Sequence, residues 1–333
     1  MSFRRAAETL SQLLPGISPM TVWKAVHDLG EDIKQQSEEK RLAVFRDGEA
    51  PRGNKSTTTL CIEGDGVIIR LQKAKQKRGE IKHLVAYEGK EEISRKRYAL
   101  KNKLVISGLA DGETMWEETY AKTGEEWDLN RVEKVYIGGD GADWPKQGLE
   151  YFPGAEYRLD PYHLSKHLTE ALWHDEETFN KVREAIYQGD LQKTRGILEE
   201  AIKRTKGNRK KRLIKLLSYL TQNWEGITTS PGVERLGAIE GQIQHNIARR
   251  MKRLGARWTI PGGDRMTRIL AEKANGELEH HTLRWPVNHQ KLKEISQTKL
   301  ERESKIEDLE KWLRTSLPAL KGPFAGRSWI KYA

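Results

Sequence analysis

The chain has 333 residues, enough for one large domain with additions or for two domains. Lys and Arg number 59 against 48 Asp and Glu, a net charge of +11 that favours a polyanionic partner, because each neutralised phosphate releases counterions. One cysteine, Cys61, excludes an internal disulfide framework and a cysteine-based zinc site, and no stretch approaches the ~20 apolar residues of a membrane span.

Residues 1–36 read as two short helices. Ala6, Leu10 and Leu13 mark the first, Pro15-Gly16 breaks it, and Ser18-Pro19 starts a second carrying Val22, Trp23, Val26 and Leu29 at helical spacing. The outline is helix-turn-helix-like, with Trp23 and Lys24 as candidate DNA contacts; an ordinary helical hairpin has the same pattern. Residues 37–56 are polar and Gly/Pro-marked and read as a linker. β-Branched and aromatic runs at 57–71, 81–87 and 104–107 predict an antiparallel meander, and 112–122 a helix. The continuous apolar run 132–137 predicts a strand buried on both faces. A short strand at 154–159 and a helix from Pro161 follow. The pattern from 166 to 231 is helical throughout and ends at Pro231-Gly232. Next comes one long amphipathic helix with Leu236, Ile239, Ile243, Ile247 and Leu254 on one face, within 232–282. A charged helical tail occupies 283–333. Three antiparallel strands, helix, strand, helix, strand and final helix is the element order of a ribonuclease-H-like α/β core with a mixed five-stranded sheet. Its first part would be 57–165, its last part 232–282, and the helical block 166–231 an insertion.

Three acids stand where that order would gather them. Asp65 in CIEGDGVIIRLQ is a mid-strand aspartate between two glycines, and Asp140 ends the apolar run VYIGGDG. Glu240 lies beside the apolar stripe of the late helix. They are separated by 75 and 100 residues, so only folding brings them together. Each has an ordinary alternative: a Gly-Asp-Gly turn for the aspartates, a solvated helix face for the glutamate. Glu63 shares a strand face with Asp65 but lacks its glycine flanks. Gathered carboxylates hold two Mg²⁺ ions, for which Mn²⁺ substitutes, and such a pair activates a water or a 3′-hydroxyl and stabilises the leaving oxygen.

Asp160 before Pro161 reads as a helix N-cap, and His163 with it as an accessory pair; His163 and His167 have zinc spacing but no further ligand in sequence. The run 203–215 (KRTKGNRKKRLIK) holds eight basic residues and no acid. Lys203, Arg204, Arg209, Lys210, Lys211 and Arg212 form either a solvated face or a phosphate clamp. Arg249, Arg250, Lys252 and Arg253 follow Glu240 and suit a phosphate backbone. Trp224 is a candidate for stacking on a base.

Taken together, IEGDG at 62–66, YIGGDGADW at 136–144, LDPYHLSKHL at 159–168, IEGQIQHNIARRMKRLGARW at 239–258, GGD at 262–264 and the closing ALKGPFAGRSWIKYA resemble bacterial insertion-sequence DDE transposases. The resembling group is the Lre-type-two family, related to Mutator-like transposases, and the likeness covers nearly the whole chain. It implies that Asp65, Asp140 and Glu240 are the metal-binding catalytic triad. It also implies hydrolysis at element ends, strand transfer into target DNA, and a homodimer or higher assembly pairing two ends. Family members carry a longer segment before the helix-turn-helix region, so a shortened DNA-reading part beside an entire catalytic core is expected. The alternatives are a ribonuclease-H-like nuclease or resolvase without strand transfer, and an inactive DNA-binding relic. The expected setting is the bacterial cytoplasm, on the nucleoid and away from membranes.

Overall fold

A computed structural model of the chain describes residues 2–95, 97–227, 236–252 and 255–283. Pro231-Gly232, Arg253, Leu254 and the expected tail beyond Leu283 lie outside these. Lys24–Arg284 forms one compact unit, while Met1–Trp23 belongs to another. Among the described residues, no helix is long and apolar enough to cross a membrane.

In the N-terminal region, α1 (Phe3–Ser11) starts at Ser2, whose side chain accepts from Arg5 N. Ser18 Oγ accepts from Thr21 N at 3.0 Å and starts α2 (Pro19–Phe45). The expected linker at 37–56 is corrected here, since α2 runs nine residues into it, to Phe45. The segment SEEKRLAVF is polar, yet it is built of strong helix formers with no Gly or Pro. Tertiary partners hold it: Arg41 pairs with Glu117 at 2.6 Å and Lys40 with Glu125 at 2.7 Å, and the Phe45 ring meets Tyr120 edge-on.

Seven strands follow. They are β1 (Thr59–Arg70), β2 (Arg78–Tyr87), β3 (Gly89–Ser94), β4 (Arg97–Lys101), β5 (Leu104–Gly108), β6 (Lys134–Gly139) and β7 (Glu156–Leu159). β5, β2, β1, β6 and β7 form one mixed sheet in that order. β2 is antiparallel to β1 and β5, while β6 is parallel to β1 and β7 to β6. β3 and β4 make a separate two-stranded hairpin inside the predicted meander. Its side chains are mostly exposed, so its composition blends with the surrounding turns.

The period of two along each strand sorts the core onto two faces. Cys61, Val67, Ile69, Ile81, Val85 and Val105 face one way. They meet the late helices through Ile239, Ile243, Ile247, Met251 and Leu270. Leu60, Ile62, Leu84, Ala86 and Ile106 face the other way. There they meet Met115 and Trp116 of α3 (Gly112–Glu126), together with Trp127 and Phe152. The protein is thus a mixed α/β fold, a five-stranded sheet flanked by helices.

Two short helices, α4 (Asp143–Lys146) and α5 (Gly148–Tyr151), link β6 to β7. The helical block then comprises α6 (Pro161–Leu172), α7 (Glu176–Tyr187), α8 (Leu191–Arg204) and α9 (Gly207–Gln222). Leu168, Leu172, Val182, Ile186, Leu198, Leu213, Leu216 and Leu220 give it a core of its own.

The expected single late helix is three segments: α10 (Ile239–Ile243), a π-turn at Gln244–Ala248, and α11 (Arg249–Met251). Its buried residues, Ile239, Ile243, Ile247 and Met251, recur every fourth position. Each such step overshoots an α-helical turn by about 40°. The wider i→i+5 turn absorbs that drift and keeps all four against the sheet. The helices α12 (Ile260–Asn275) and α13 (Leu278–Leu283) follow. The Asn275 side chain accepts from Val105 N at 2.7 Å and donates to Val105 O at 2.9 Å, covering the edge of β5.

Candidate metal centre

The parallel register places Gly64 of β1 beside Gly139 of β6, so Asp65 and Asp140 are the next residue on each chain. β6 ends there. Asp140 turns out of the sheet, its Oδ1 accepting from Ala142 N at 2.9 Å, and Gly141 has φ +98°, which favours glycine. Asp160 N donates to Gly139 O at 2.8 Å, so the end of β7 arrives alongside. Asp160 is buried; its Oδ1 caps α6 through Tyr162 N, and its Oδ2 lies 2.6 Å from Nδ1 of His163. The ends of β6 and β7 therefore converge beside the middle of β1, and the ligand atoms of Asp65, Asp140 and His163 lie within 4.8 Å of one another.

The helical block supports this corner. The Tyr219 hydroxyl donates to Asp140 O at 2.8 Å, and the His167 ring lies against Tyr219 with centroids 4.2 Å apart. Gly141 N donates to the Tyr157 hydroxyl at 3.1 Å.

Burial governs the electrostatics. Asp65 is 8% exposed. Desolvation, reinforced by the charges of Asp140 and Glu240, pushes its carboxyl up to about 6, against the pull of Gly66 N–H and His163. His163 shifts upward, first because Asp160 accepts its hydrogen bond and further because Asp65 and Asp140 face it. Two close carboxylates, one of them buried, suit a divalent cation with a preference for oxygen. With Nδ1 of His163 held by Asp160, its Nε2 is the ring nitrogen left for a metal or a phosphate, the carboxylate–histidine arrangement common around metals.

Glu240 sits in the first turn of α10 and is exposed. Its charge is felt at Asp65, but it is not part of the 4.8 Å group. What holds its helix in place is Glu63, two residues before Asp65. Glu63 is completely buried. It accepts from Gly237 N at 2.7 Å, Ala238 N at 3.0 Å, Ile239 N at 3.4 Å and the Tyr87 hydroxyl at 2.5 Å. A β1 carboxylate thus satisfies the free N–H groups at the start of α10 and complements its dipole. Gly138 admits this contact, because a side chain there would press on Leu236 and Glu63. In sequence, Glu63 was only a confusable neighbour of Asp65. Its same-face, period-two position was the available signal, but its partners at the start of α10 lie about 175 residues away along the chain.

Other predicted residues fall elsewhere. Trp224 is partly buried against the core of the helical block. Arg204 is tied to Asp175 at 2.8 Å and to Thr178, so it braces α7 and α8. Lys203, Arg209, Lys210, Lys211 and Arg212 are exposed around the α8–α9 turn. Trp23 and Lys24 lie in the second turn of α2, and Arg249, Arg250 and Lys252 are exposed on or after α11. Asp264 of the GGD motif is structural: it accepts from Leu109 N at 2.9 Å and pairs with Arg268. A second group with metal-ligand spacing, Glu272, Glu277 and His281, already contains the ammonium of Lys122, 2.5 Å from Glu272.

Residues 1–288 match the model of an uncharacterised protein family, UPF0236. A UPF0236 protein of Caldanaerobacter subterraneus subsp. tengcongensis is 30% identical over 265 residues, 78% of this chain and 53% of its own length, and its name carries eleven locus designations. Another from the same organism, with four designations, is 28% identical over 265 residues, again 78% of this chain and 53% of its own length. A UPF0236 protein from the vanSb 3′ region of Streptococcus gallolyticus is 27% identical over 295 residues, 84% of this chain and 62% of its own length. The chain thus spans about half the length of the first two relatives. It belongs to the UPF0236 family.

Proposed function

We propose that this chain carries the catalytic core of a DDE-type transposase: a metal-dependent enzyme that hydrolyses a DNA phosphodiester bond at the ends of a mobile element and joins the freed 3′-hydroxyl to target DNA. The observation that carries the reading is the meeting of buried Asp65, midway along β1, with Asp140 just past the carboxyl end of the parallel strand β6. Strand order β5-β2-β1-β6-β7, with β2 reversed, suits a ribonuclease-H-like core. A relative whose one name covers eleven loci suits a gene that copies itself about a genome.

Asp65 and Asp140 would hold Mg²⁺ or Mn²⁺, with Glu240 completing the set from α10, and the ions would supply Lewis-acid activation of the attacking oxygen and stabilisation of the leaving one. Asp160 orients His163, and the raised affinity of His163 for its proton lets it donate to a non-bridging phosphate oxygen. Glu63 fixes the entry of α10 and with it the position of Glu240. α9 opens with Arg209, Lys210 and Lys211 at an N-terminus with no side-chain cap. Cations there oppose the helix dipole, at ~0.3–1 kcal/mol each. A phosphate seated on the free N–H groups would remove that conflict. Two copies would act together, one per element end.

The test is the purified chain with Mg²⁺ or Mn²⁺ and duplexes carrying the inverted termini that flank its gene. The expected result is cleavage, then joining of a pre-cut end to a second duplex. Asp65→Asn and Asp140→Asn should each abolish both steps while DNA binding persists. Cleavage retained in either variant overturns the assignment; cleavage without joining makes the protein a nuclease.

A further inference from the structure

β1 does not stop at the metal centre. Its partner β6 ends at Gly139, opposite Gly64, but β1 continues to Arg70 and turns back into β2. The five residues from Asp65 to Arg70 carry the hairpin about 17 Å beyond the site. Residues 70–78 read RLQKAKQKR, with five cations and no acid. Arg70, Lys73, Lys75, Lys77 and Arg78 are all exposed, and among the described residues none forms a salt bridge. Glu80, the next acid along the chain, bonds Lys82 at 3.0 Å.

The stem is braced. Leu71 N donates to Lys77 O at 2.9 Å, closing the turn. On its open side, Trp258 N donates to Arg70 O at 3.0 Å, and Gln72 N donates to Trp258 O at 2.8 Å. This third segment sets exposed Arg257 beside the hairpin. Five like charges on a rigid stem repel one another and gain no internal partner. They are preorganised for a row of external anions, with little ordering cost on binding.

We infer that the β1–β2 hairpin is a phosphate clamp that grips the DNA duplex to one side of the reacting bond. The inference rests on the nucleic-acid reading of the metal centre. With one base pair per 3.4 Å of helix axis, the clamp meets the backbone about five base pairs from that bond. It contacts phosphates only and is blind to sequence.

The experiment compares wild type with two triple variants of equal charge. One is Lys73→Gln, Lys75→Gln, Lys77→Gln in the turn. The other is Arg52→Gln, Arg131→Gln, Lys134→Gln, whose last position starts β6 at the opposite end of the sheet from Asp140. Duplex affinity is measured against salt, and backbone protection is mapped on a duplex with the element terminus. Thermal unfolding verifies that both variants fold. The hairpin triple should lose about 2.7 from the slope of log affinity against log salt, ~0.9 per contact, with protection vanishing about five base pairs from the cleaved bond. The control triple should keep the wild-type slope and protection. A hairpin triple with wild-type slope and protection, or a control equally weakened, overturns the clamp while wild-type binding and cleavage leave the metal-centre reading intact. A wild type that binds no duplex at any salt overturns both.

Discussion

Two groups of acids in this protein, each around a buried carboxylate, are built to opposite ends. Under α3, Glu118 and Asp264 meet Arg268. The guanidinium donates to Glu118 at 2.7 and 2.9 Å and to Asp264 at 3.2 Å, so the fork is taken up on both sides. The two acids hold Arg268 more firmly charged than usual despite its burial. Beside the ends of β6 and β7, Asp65 faces the half-buried Asp140 and His163, and burial drives the Asp65 carboxyl up to about 6. The first group has found its counter-charge within the fold. The second has only His163, a titratable imidazole already engaged by Asp160, and an acid kept buried without a permanent cation is poised for one from outside.

The sharpest way to break the contrast is to neutralise one acid in each group. Asp65→Asn should lower metal-dependent DNA cleavage by about 10³-fold or more, since the acids act as a unit. Its thermal midpoint without metal should stay level or rise, because a disfavoured buried charge has gone. Glu118→Ala should do the reverse. Leaving the buried Arg268 with Asp264 alone costs ~3–5 kcal/mol in urea unfolding, whatever happens to cleavage. A destabilised Asp65→Asn, or an undisturbed Glu118→Ala, would erase the distinction between the groups.

Glu63 stands between the two. It is a buried acid answered by helix N–H groups and a hydroxyl rather than by a cation. Glu63→Gln keeps the shape but loses the charge and one acceptor, so ~1–3 kcal/mol of stability should go. If its role is to seat α10, cleavage should fall while duplex binding and its salt slope stay the same. A fall in both would make it a general fold residue.

Some of this was legible in the residues. Asp160-Pro161 announces α6 because N-cap chemistry is local, and 161–172 is its observed span. Asp65 and Asp140 stand out through their flanking glycines, and Asp140 also through its strand end, which are local features too. The extension of α2 to Phe45 was hidden because α3 holds a polar segment in place. Glu63 and Asp264 were illegible in role because the groups they bind lie far along the chain. The π-turn is not announced by the spacing 239, 243, 247, 251, which drifts over about 120° on a regular helix and still fits an ordinary apolar face. The cations of 70–78 gain meaning only from the register, which places their turn past the site.

The smallest effect concerns His83, which pairs with Asp65 across β1 and β2. A protonated His83 would be a built-in counter-charge and would make the Asp65–Asp140 group resemble the Arg268 group. Burial prevents this: its imidazole is pushed down to about 3, chiefly by desolvation and further by Lys103, while Nδ1 lies 2.9 Å from the Ser107 hydroxyl. The folded state therefore keeps His83 neutral where the unfolded chain, with a value near 6.5, takes up a proton. Its contribution to stability is complete above pH 6.5 and declines as pH falls towards 3, by up to about 1.4 kcal/mol per pH unit. Between pH 6.5 and 5 the wild type should lose about 2 kcal/mol more than His83→Gln, whose side chain cannot titrate in that window. Parallel pH profiles of the two proteins in chemical unfolding would mean that His83 carries its proton in the fold, and that Asp65 has a counter-charge after all.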